Sequence, residues 1–402
     1  MSHPRVNYLK QMGPAWIISA VACGPATLAS VSTAGATYSY RLLWVVMLSA
    51  VFGCTAQYLA AKIGVLSGSG IIRTTEKYLG KSWAWIVTFD ALIATWLAAV
   101  VLMNALSGIT SVLTGIDTPY WGICFGLLIG GMLVGGGYRW FELVCKLLVA
   151  AMVACFITVL FIAELNAADI VRGLIPTVPG GTQSALICAA IMGGAVHVTI
   201  IGMHTYTVNA RRWDAADLPL ARFDTLMSMG LAFGLYSVAI YLVSAAVLYP
   251  HQVNVKGATD AALALEPLLG PGAMWIFLIG LFTAAFSTIS PTFLAGAFFL
   301  SDKLNWPLTV KDRRFSGVVW AGCVLSMCGP FIKGSFFMLL PIMLALGLLG
   351  TPVIIAIIIY LLNRTELRTA APSGFVLNAM GIMTFLITTV LAGRFVYVKL
   401  FG

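Results

Sequence analysis

Runs of apolar residues long enough to cross a lipid bilayer recur along the whole chain. The hydrocarbon core of a bilayer is about 30 Å thick and takes about 20 apolar residues of helix. The 402 residues are 60% hydrophobic and only 9% charged, a composition that no soluble domain needs. We therefore expect an all-α integral membrane protein with eleven transmembrane helices, near residues 13–38, 42–67, 82–108, 120–137, 139–163, 184–208, 223–249, 271–300, 316–332, 335–362 and 373–398.

Basic residues are distributed unevenly between the two sides of this arrangement. With a cytoplasmic N-terminus, fifteen of the 23 Lys and Arg residues fall inside and six outside, while Lys62 and Lys146 lie within or near the spans. Such an excess in cytoplasmic loops is typical of membrane proteins. It explains the net charge of +9 without a nucleic-acid partner. We expect a multi-pass protein of the cell membrane, in contact with the lipid bilayer, with its C-terminus outside.

The cysteines and the missing nucleotide motif narrow the class of protein. All eight cysteines fall inside predicted helices and none forms a CxxC pair, so they are interpreted as small packing residues rather than as disulfide or metal ligands. No GxxxxGK[ST] motif occurs. Glu142 and Lys146, four residues apart, are expected to form a structural ion pair within one helix. We expect that the protein is a secondary transporter rather than an enzyme, and that it needs no cofactor.

Two of the predicted helices contain residues that interrupt a helix. The first carries Gly24 and Pro25 in ACGPATLAS (22–30), and the sixth carries Gly193 and Gly194 in AAIMGGAVHVTIIGMH (189–204). A single kink would be ordinary, since Gly and Pro are common in membrane helices. Two breaks five spans apart predict an inverted-repeat transporter with its site at the bilayer midplane. The chain would be one transmembrane domain, 1–402, with repeats at about 13–163 and 184–362 and an extra helix at about 373–398.

Several segments resemble one known family. The sequence from Gly13, GPAWIISAVACGPATLASVSTAGATYSYRLLWVVMLSAVFGCTAQYLAAKIGVLSG, is similar to the first two helices of the Nramp metal-ion transporters. IATWLA at 93–98 resembles their third helix, and GGAV followed by HTYTV at 204–208 resembles their sixth. The resemblance covers the whole eleven-helix layout. It implies a leucine-transporter-type fold with helices 1 and 6 unwound, alternating access, and proton-coupled uptake of divalent transition metals.

The family's two metal-site motifs are replaced in this chain. The family has DPGN in helix one and MPH in helix six, whose Asp, Asn and Met bind the metal together with backbone carbonyls. Here the same register holds Gly24 to Thr27, with only Pro25 retained, and His197 to Thr199. A divalent cation prefers anionic oxygen ligands, and a soft sulfur favours transition metals. The replacement therefore argues against transition-metal transport in the family manner.

The family's proton route is also altered. Trp96 and Ala99 stand where the family has acidic residues in helix three, although Asp90 lies close to another acidic position. Thr199 replaces the first histidine of helix six, and His204 retains the second. Asp90 and His204 are thus the candidates for coupling, most simply to H⁺. The alternatives are an interfacial carboxylate beside Lys81 for Asp90 and a packing role for His204.

Three functions remain open, and the first is favoured. Helix N-termini at the two breaks suit an anion, so the lead hypothesis is coupled transport of a small organic solute or carboxylate. The second is transport of Mg²⁺ or Mn²⁺ by a remodelled site, held by Thr27 and His197 with the carbonyls of Val21 and Gly194. The third is a sensor without turnover. The candidate substrate-binding residues are Val21, Gly24, Thr27, Gly194, His197 and Thr199.

Overall fold

The computed structural model describes residues 13–135, 151 and 153–401. In these ranges the regular structure is helical: α1 (Pro14–Ala22), α2 (Pro25–Tyr38), α3 (Leu43–Ser67), α4 (Ile71–Leu79), α5 (Lys81–Thr114), α6 (Trp121–Gly135), α7 (Val153–Ile162), α8 (Ala167–Gly173), α9 (Thr182–Ala195), α10 (Val198–Ala210), α11 (Leu218–Thr225), α12 (Gly234–Val247), α13 (Ala258–Ala262), α14 (Glu266–Leu269), α15 (Ala273–Lys303), α16 (Arg313–Ser326), α17 (Phe336–Gly347), α18 (Thr351–Leu362), α19 (Thr365–Ala370) and α20 (Phe375–Phe401).

The described helices are long and apolar enough for a membrane protein. Seven helical stretches satisfy both conditions, two of them containing a break described below, and α6 and α7 are shorter apolar helices. Eleven spans remains a prediction, because the span at 139–163 falls partly outside the described residues. Cys145 and the predicted ion pair between Glu142 and Lys146 also lie outside them. The seven stretches are Pro25–Ser67, Lys81–Thr114, Thr182–Ala210, Ala215–Val247, Ala258–Lys303, Phe336–Leu362 and Phe375–Phe401.

The first predicted span is broken where the sequence indicated. α1 ends at Ala22, and α2 begins at Pro25, whose fixed φ suits the first position of a helix. Gly24, between them, is extended, with φ −72° and ψ 179°. The N–H of Gly24 donates to the carbonyl of Val21 at 3.1 Å, which closes α1 with one tight turn. The break therefore leaves two separate helix ends inside the fold.

The sixth span is broken in the same way. α9 ends at Ala195, Val196 has a non-helical backbone, and α10 begins at Val198 with His197 as its N-cap. The hydroxyl of Thr351 donates to the carbonyl of Val196 at 2.6 Å, which satisfies one of the carbonyls that the break exposes. Both helices are almost wholly buried.

The tenth predicted span, at about 335–362, is present as the stretch Phe336–Leu362 but contains a third break that the sequence analysis did not predict. α17 ends at Gly347, and α18 begins only at Thr351. Gly350 is the N-cap of α18 and Pro352 occupies its first turn, where a missing N–H costs nothing. The stretch GLLGTP therefore separates two short helices at this point.

The three breaks come together because the broken helices pack on one another. α9 lies against α17, and α2 lies against both. α5 and α15 pack along each other and close another side, since α15 also contacts α2 and α5 contacts α10 and α17. Gly193 lets α9 approach α17 closely, because a Cβ there would lie 2.2 Å from the carbonyl oxygen of Leu344.

Candidate functional site

A small buried cavity lies where the breaks of the first and sixth spans meet. Its volume is about 50 Å³, enough for a few water-sized groups. The lining contains all six residues that the sequence analysis chose as candidates for substrate binding. Their grouping follows from the geometry, and their binding of substrate remains a prediction. The six are Val21, Gly24, Thr27, Gly194, His197 and Thr199.

Thr27 bridges the break in the first span. Its hydroxyl donates to the carbonyl of Ala22, the last residue of α1, at 2.6 Å. The proton of the hydroxyl is thus used, and its oxygen lone pairs remain available in the cavity. Gly194 of α9 lies directly opposite, since a Cβ there would be 2.6 Å from Thr27 Oγ1. The two breaks are therefore in contact at this pair.

His197 has an orientation that limits its chemistry. Its Nδ1 accepts a hydrogen bond from the backbone N–H of Thr199 at 3.2 Å, as an N-cap does. The neutral imidazole therefore carries its proton on Nε2, which makes Nε2 a donor. Nε2 lies against Gly347 at the end of α17, where a Cβ would be only 1.7 Å away. The tenth span thus fixes the ring in place.

Thr199 is connected to the third span. Its hydroxyl lies 3.1 Å from the hydroxyl of Thr95 on α5, and Thr95 in turn donates to the carbonyl of Ala91 at 2.6 Å. The Thr95 hydroxyl thus donates within its own helix, and its oxygen can accept a hydrogen bond from the Thr199 hydroxyl. Thr199 therefore links α10 to α5.

Three polar or soft residues of the lining were not among the six candidates for substrate binding. Thr288 and Thr292 come from α15, and Met343 comes from α17. Thr292 donates to the carbonyl of Thr288 at 2.8 Å, but the Thr288 hydroxyl is buried without a hydrogen-bond partner in the described structure. In the sequence, the hydroxyl cluster of FSTISPTF (286–293) indicates residues that could face the cavity, Thr288 among them, although hydroxyls that bond to their own helix are the commoner case. Nothing in the sequence distinguished Met343 from the other methionines.

The two coupling candidates lie outside the cavity lining. Asp90 on α5 packs against the third break, where a Cβ on Gly350 would be 1.8 Å from Asp90 Oδ2. Among the described residues it forms no ion pair with Lys81. His204 is buried in α10, and its Nδ1 lies 3.1 Å from Oε1 of Gln57 on α3. Its Nε2 and the Gln57 amide nitrogen have no partner in the described part of the chain.

The lining is poor in the ligands that a divalent cation prefers. None of the residues around the cavity is Asp or Glu, and the described residues contain no group of three or more His, Cys, Asp or Glu side chains that could hold a metal. Carbonyls of Val21, Ala22 and Val196 already accept hydrogen bonds. The available polar groups are therefore neutral, with one imidazole and one thioether among them.

Comparisons with known proteins agree with this fold. The family model "Natural resistance-associated macrophage protein-like" (Nramp) matches residues 15–398. The chain is 26% identical over 332 residues to a "Divalent metal cation transporter MntH" of Caldanaerobacter subterraneus subsp. tengcongensis, covering 80% of this chain and 78% of that protein.

Solved structures give the same fold at lower identity. A manganese transporter of Eremococcus coleocola, crystallised in complex with an aromatic bis-isothiourea substituted compound, superposes with a TM-score of 0.76 at 15% identity, over 97% of this chain and 87% of that one. MhsT in complex with L-phenylalanine superposes with a TM-score of 0.63 at 15% identity, over 96% and 97%. The fold is thus of the leucine-transporter type, and the chain belongs to the Nramp family of membrane transporters.

Proposed function

We propose that this transporter moves a small organic solute with a carboxylate group by alternating access, coupled to H⁺. One observation carries the proposal: α2 and α10, of 14 and 13 residues, both begin at the cavity. The first N–H groups of a helix have no partner within the helix and carry partial positive charge. Pro25 at the start of α2 has no N–H, and the Thr199 N–H of α10 already donates to His197 Nδ1, so the neighbouring N–H groups would bind the carboxylate. In this type of fold such ends hold the carboxylate of a substrate.

The other groups at the breaks favour the same substrate class. The Nε2–H of His197 is a donor, and the Thr288 hydroxyl has no partner in the described structure. The carbonyls that would attract a cation, at Val21, Ala22 and Val196, already accept hydrogen bonds. Thr288 therefore adds an uncommitted hydroxyl to the two helix N-termini at the cavity. A carboxylate accepts from several donors at once.

The cavity limits the size of the group that it can enclose. At about 50 Å³ it admits a solute of a few heavy atoms, or the carboxylate end of a longer one. A larger solute requires α1 or α10 to move away, as alternating access provides. We expect the preference to fall steeply with side-chain size among small carboxylates and amino acids.

Divalent-cation transport is the second candidate, because the matched relatives are named as metal cation transporters. Met343 and His197 could supply soft ligands. The carbonyls of Val21 and Gly194 and the Thr27 oxygen would complete the site. Against it stands the cost of removing water from a doubly charged ion beside neutral groups alone.

Uptake into proteoliposomes containing the full chain separates these functions. Under an inward pH gradient, a panel of radiolabelled small carboxylates and amino acids is compared with labelled Mn²⁺ and Mg²⁺. We expect one or more organic solutes to accumulate. Uptake of Mn²⁺ or Mg²⁺ without uptake of any organic solute would show that the proposal is wrong. Calorimetric binding of a solute with no flux of any kind would instead indicate a sensor.

A matched pair of variants ties the flux to the cavity. Thr288→Val removes the hydroxyl without a described partner and keeps the shape of the side chain. We expect it to weaken the apparent affinity for the solute by roughly fivefold to tenfold, the value of one hydrogen bond. Thr384→Val is the control, since Thr384 is buried in α20 and donates to the carbonyl of Met380. It should leave the affinity unchanged.

A further inference from the structure

A second and larger cavity lies on the outer side of the bundle. It is a groove of about 770 Å³ between α3, the segment Leu226–Phe233 that follows α11, and the start of α20. Its walls are mostly apolar, and several side chains that line it are about half exposed, such as Met47 and Leu235. In a membrane protein such a face meets lipid acyl chains rather than water.

The groove has the length of an acyl chain. On α3 the lining residues recur from Met47 to Lys62 with no interval longer than four residues, so they form one stripe of the helix. Fifteen residues at 1.5 Å each span about 22 Å, which exceeds the half-thickness of a bilayer core of about 30 Å. The groove can therefore follow a chain from the headgroup level toward the middle of the membrane.

Two cationic side chains line this groove, and Lys62 is the last of its α3 residues. They are Lys62 of α3 and Arg222 of α11, and both line it. Lys62 is only 3% exposed, and its Nζ donates to the hydroxyl of Ser373 at 2.9 Å. Neither cation forms an ion pair with a carboxylate among the described residues. An ammonium has three donors, so Lys62 is a buried charge that is only partly satisfied.

The backbone beside the groove is unusual. Residues Leu226–Phe233 form a π-helix, a rare conformation that is frequently found at functional sites. It places Leu226 and Gly230 on the groove wall in line with Arg222. Gly230 has no side chain where it faces Cys54 of α3, and a Cβ there would be 3.7 Å from Cys54 Sγ. The wide π-helical turn and the missing side chain of Gly230 together leave room for the groove.

We propose that this groove binds an anionic phospholipid, with one acyl chain along α3 and the charged headgroup on Lys62 and Arg222. Charge complementarity selects the occupant, because basic pockets between membrane helices bind anionic headgroups. The positive-inside distribution puts this end of the groove at the cytoplasmic leaflet. The chain's own segment 1–12 is a poor alternative, since it contains basic residues and no acidic one.

Native mass spectrometry of the purified full chain tests the proposal. The protein in non-ionic detergent is titrated with equal amounts of phosphatidylglycerol and phosphatidylcholine, and the ratio of the two bound lipids is measured. Each basic side chain near a membrane surface contributes about a fivefold preference for an anionic headgroup. We expect a ratio of roughly 10 to 30 for the wild type. A ratio near one would overturn the proposal.

Variants of the two cations test which residues cause the preference for the anionic lipid. Arg222→Gln should lower the ratio about fivefold, and adding Lys62→Gln should bring it near one. Arg313→Gln is the control, because Arg313 is exposed at the start of α16 and does not line the groove. Arg222 is exposed too, so its variant should fold normally. An unchanged ratio in Arg222→Gln would overturn the proposal.

The groove itself is tested separately from the cations. Val51, which lines it and is 43% exposed, is replaced by Trp to fill the acyl channel. We expect Val51→Trp to lower the retention of both lipids together, with little change in their ratio. A photo-crosslinking residue at position 51 should capture lipid. Capture of the segment 1–12 instead would identify the chain's own N-terminus as the occupant and would overturn the proposal.

Discussion

The carboxylate of Asp224 accepts a hydrogen bond from the backbone N–H of Ala15 at 2.9 Å, although the two residues are 209 positions apart. It also accepts from the N–H of Gly13 at 3.1 Å. The first turn of α1 contains no acidic residue and its N-cap forms no side-chain hydrogen bond. Asp224, near the end of α11, therefore caps α1 from another part of the fold. The hydroxyl of Ser19 adds a bond to the carbonyl of Ser228 at 2.9 Å.

This cap should control how firmly α1 is held. Asp224→Ala removes both acceptors, and the loss of a cap costs about 1 kcal/mol. We expect the amides of the first turn of α1 to exchange with deuterium about fivefold faster. Hydrogen-exchange mass spectrometry on the full chain measures this. Asp217→Ala, in an exposed turn nearby, is the control and should leave α1 unchanged. Equal exchange in both variants would contradict the capping role.

Gly347 should be indispensable for the position of His197. A Cβ at Gly347 would lie 1.7 Å from Nε2 of the imidazole, so Gly347→Ala must displace the ring or separate α17 from α10. We expect loss of uptake and a destabilisation of about 1 to 3 kcal/mol. Gly131→Ala is the matched control, because Gly131 is also helical and has nothing within 4 Å of its Cβ position. Normal uptake by Gly347→Ala would contradict this arrangement.

The sequence predicted the two breaks that form the cavity, because glycine and proline disrupt helices at the level of local conformation. The third break carries the same kind of signal in Gly347, Gly350 and Pro352, but these residues fall within a long apolar run and the sequence analysis did not single them out. The role of the two glycines arises only when His197 and Asp90 from other helices pack on them. The rotation of α15 about its axis decides which of its hydroxyls reaches the cavity. That rotation is set by packing against other helices and not by the local sequence.

Asp90 should be required for coupling rather than for binding. Its carboxylate packs on Gly350 at the third break, so a change in its charge can be transmitted to the junction between α17 and α18. An acid inside a membrane helix is by default a functional hypothesis. We expect Asp90→Asn to abolish accumulation driven by a pH gradient while exchange of labelled for unlabelled solute continues.

A pH-sensitive dye inside the proteoliposomes measures the accompanying proton flux directly. Asp117→Asn is the control, because Asp117 is exposed in the turn after α5 and should leave both activities intact. His204→Gln is examined in parallel, since His204 is the other coupling candidate. Full pH-driven accumulation by Asp90→Asn would exclude Asp90 from coupling, and loss in His204→Gln alone would assign the role to the histidine.

Asp302 should contribute more to stability than any exposed ion pair of the described structure. It is 2% exposed and accepts from the hydroxyl of Tyr206 at 3.0 Å and from the backbone N–H of Arg73 at 3.1 Å. It also pairs with the Arg73 side chain at 3.3 Å. These bonds join α4 and α10 to the end of α15. Asp302→Ala leaves the Tyr206 hydroxyl and a backbone N–H without their acceptor.

We expect Asp302→Ala to destabilise the protein by about 2 to 3 kcal/mol, at the low end for a buried pair because Arg73 is half exposed. Asp169→Ala is the comparison, since the pair between Asp169 and Arg172 is exposed on both sides. Such surface pairs contribute about 0 to 1 kcal/mol. Thermal unfolding in the same detergent measures both variants. Equal melting temperatures of the two variants would show that the hydrogen bonds and the ion pair of Asp302 do not stabilise the packing of α4, α10 and α15.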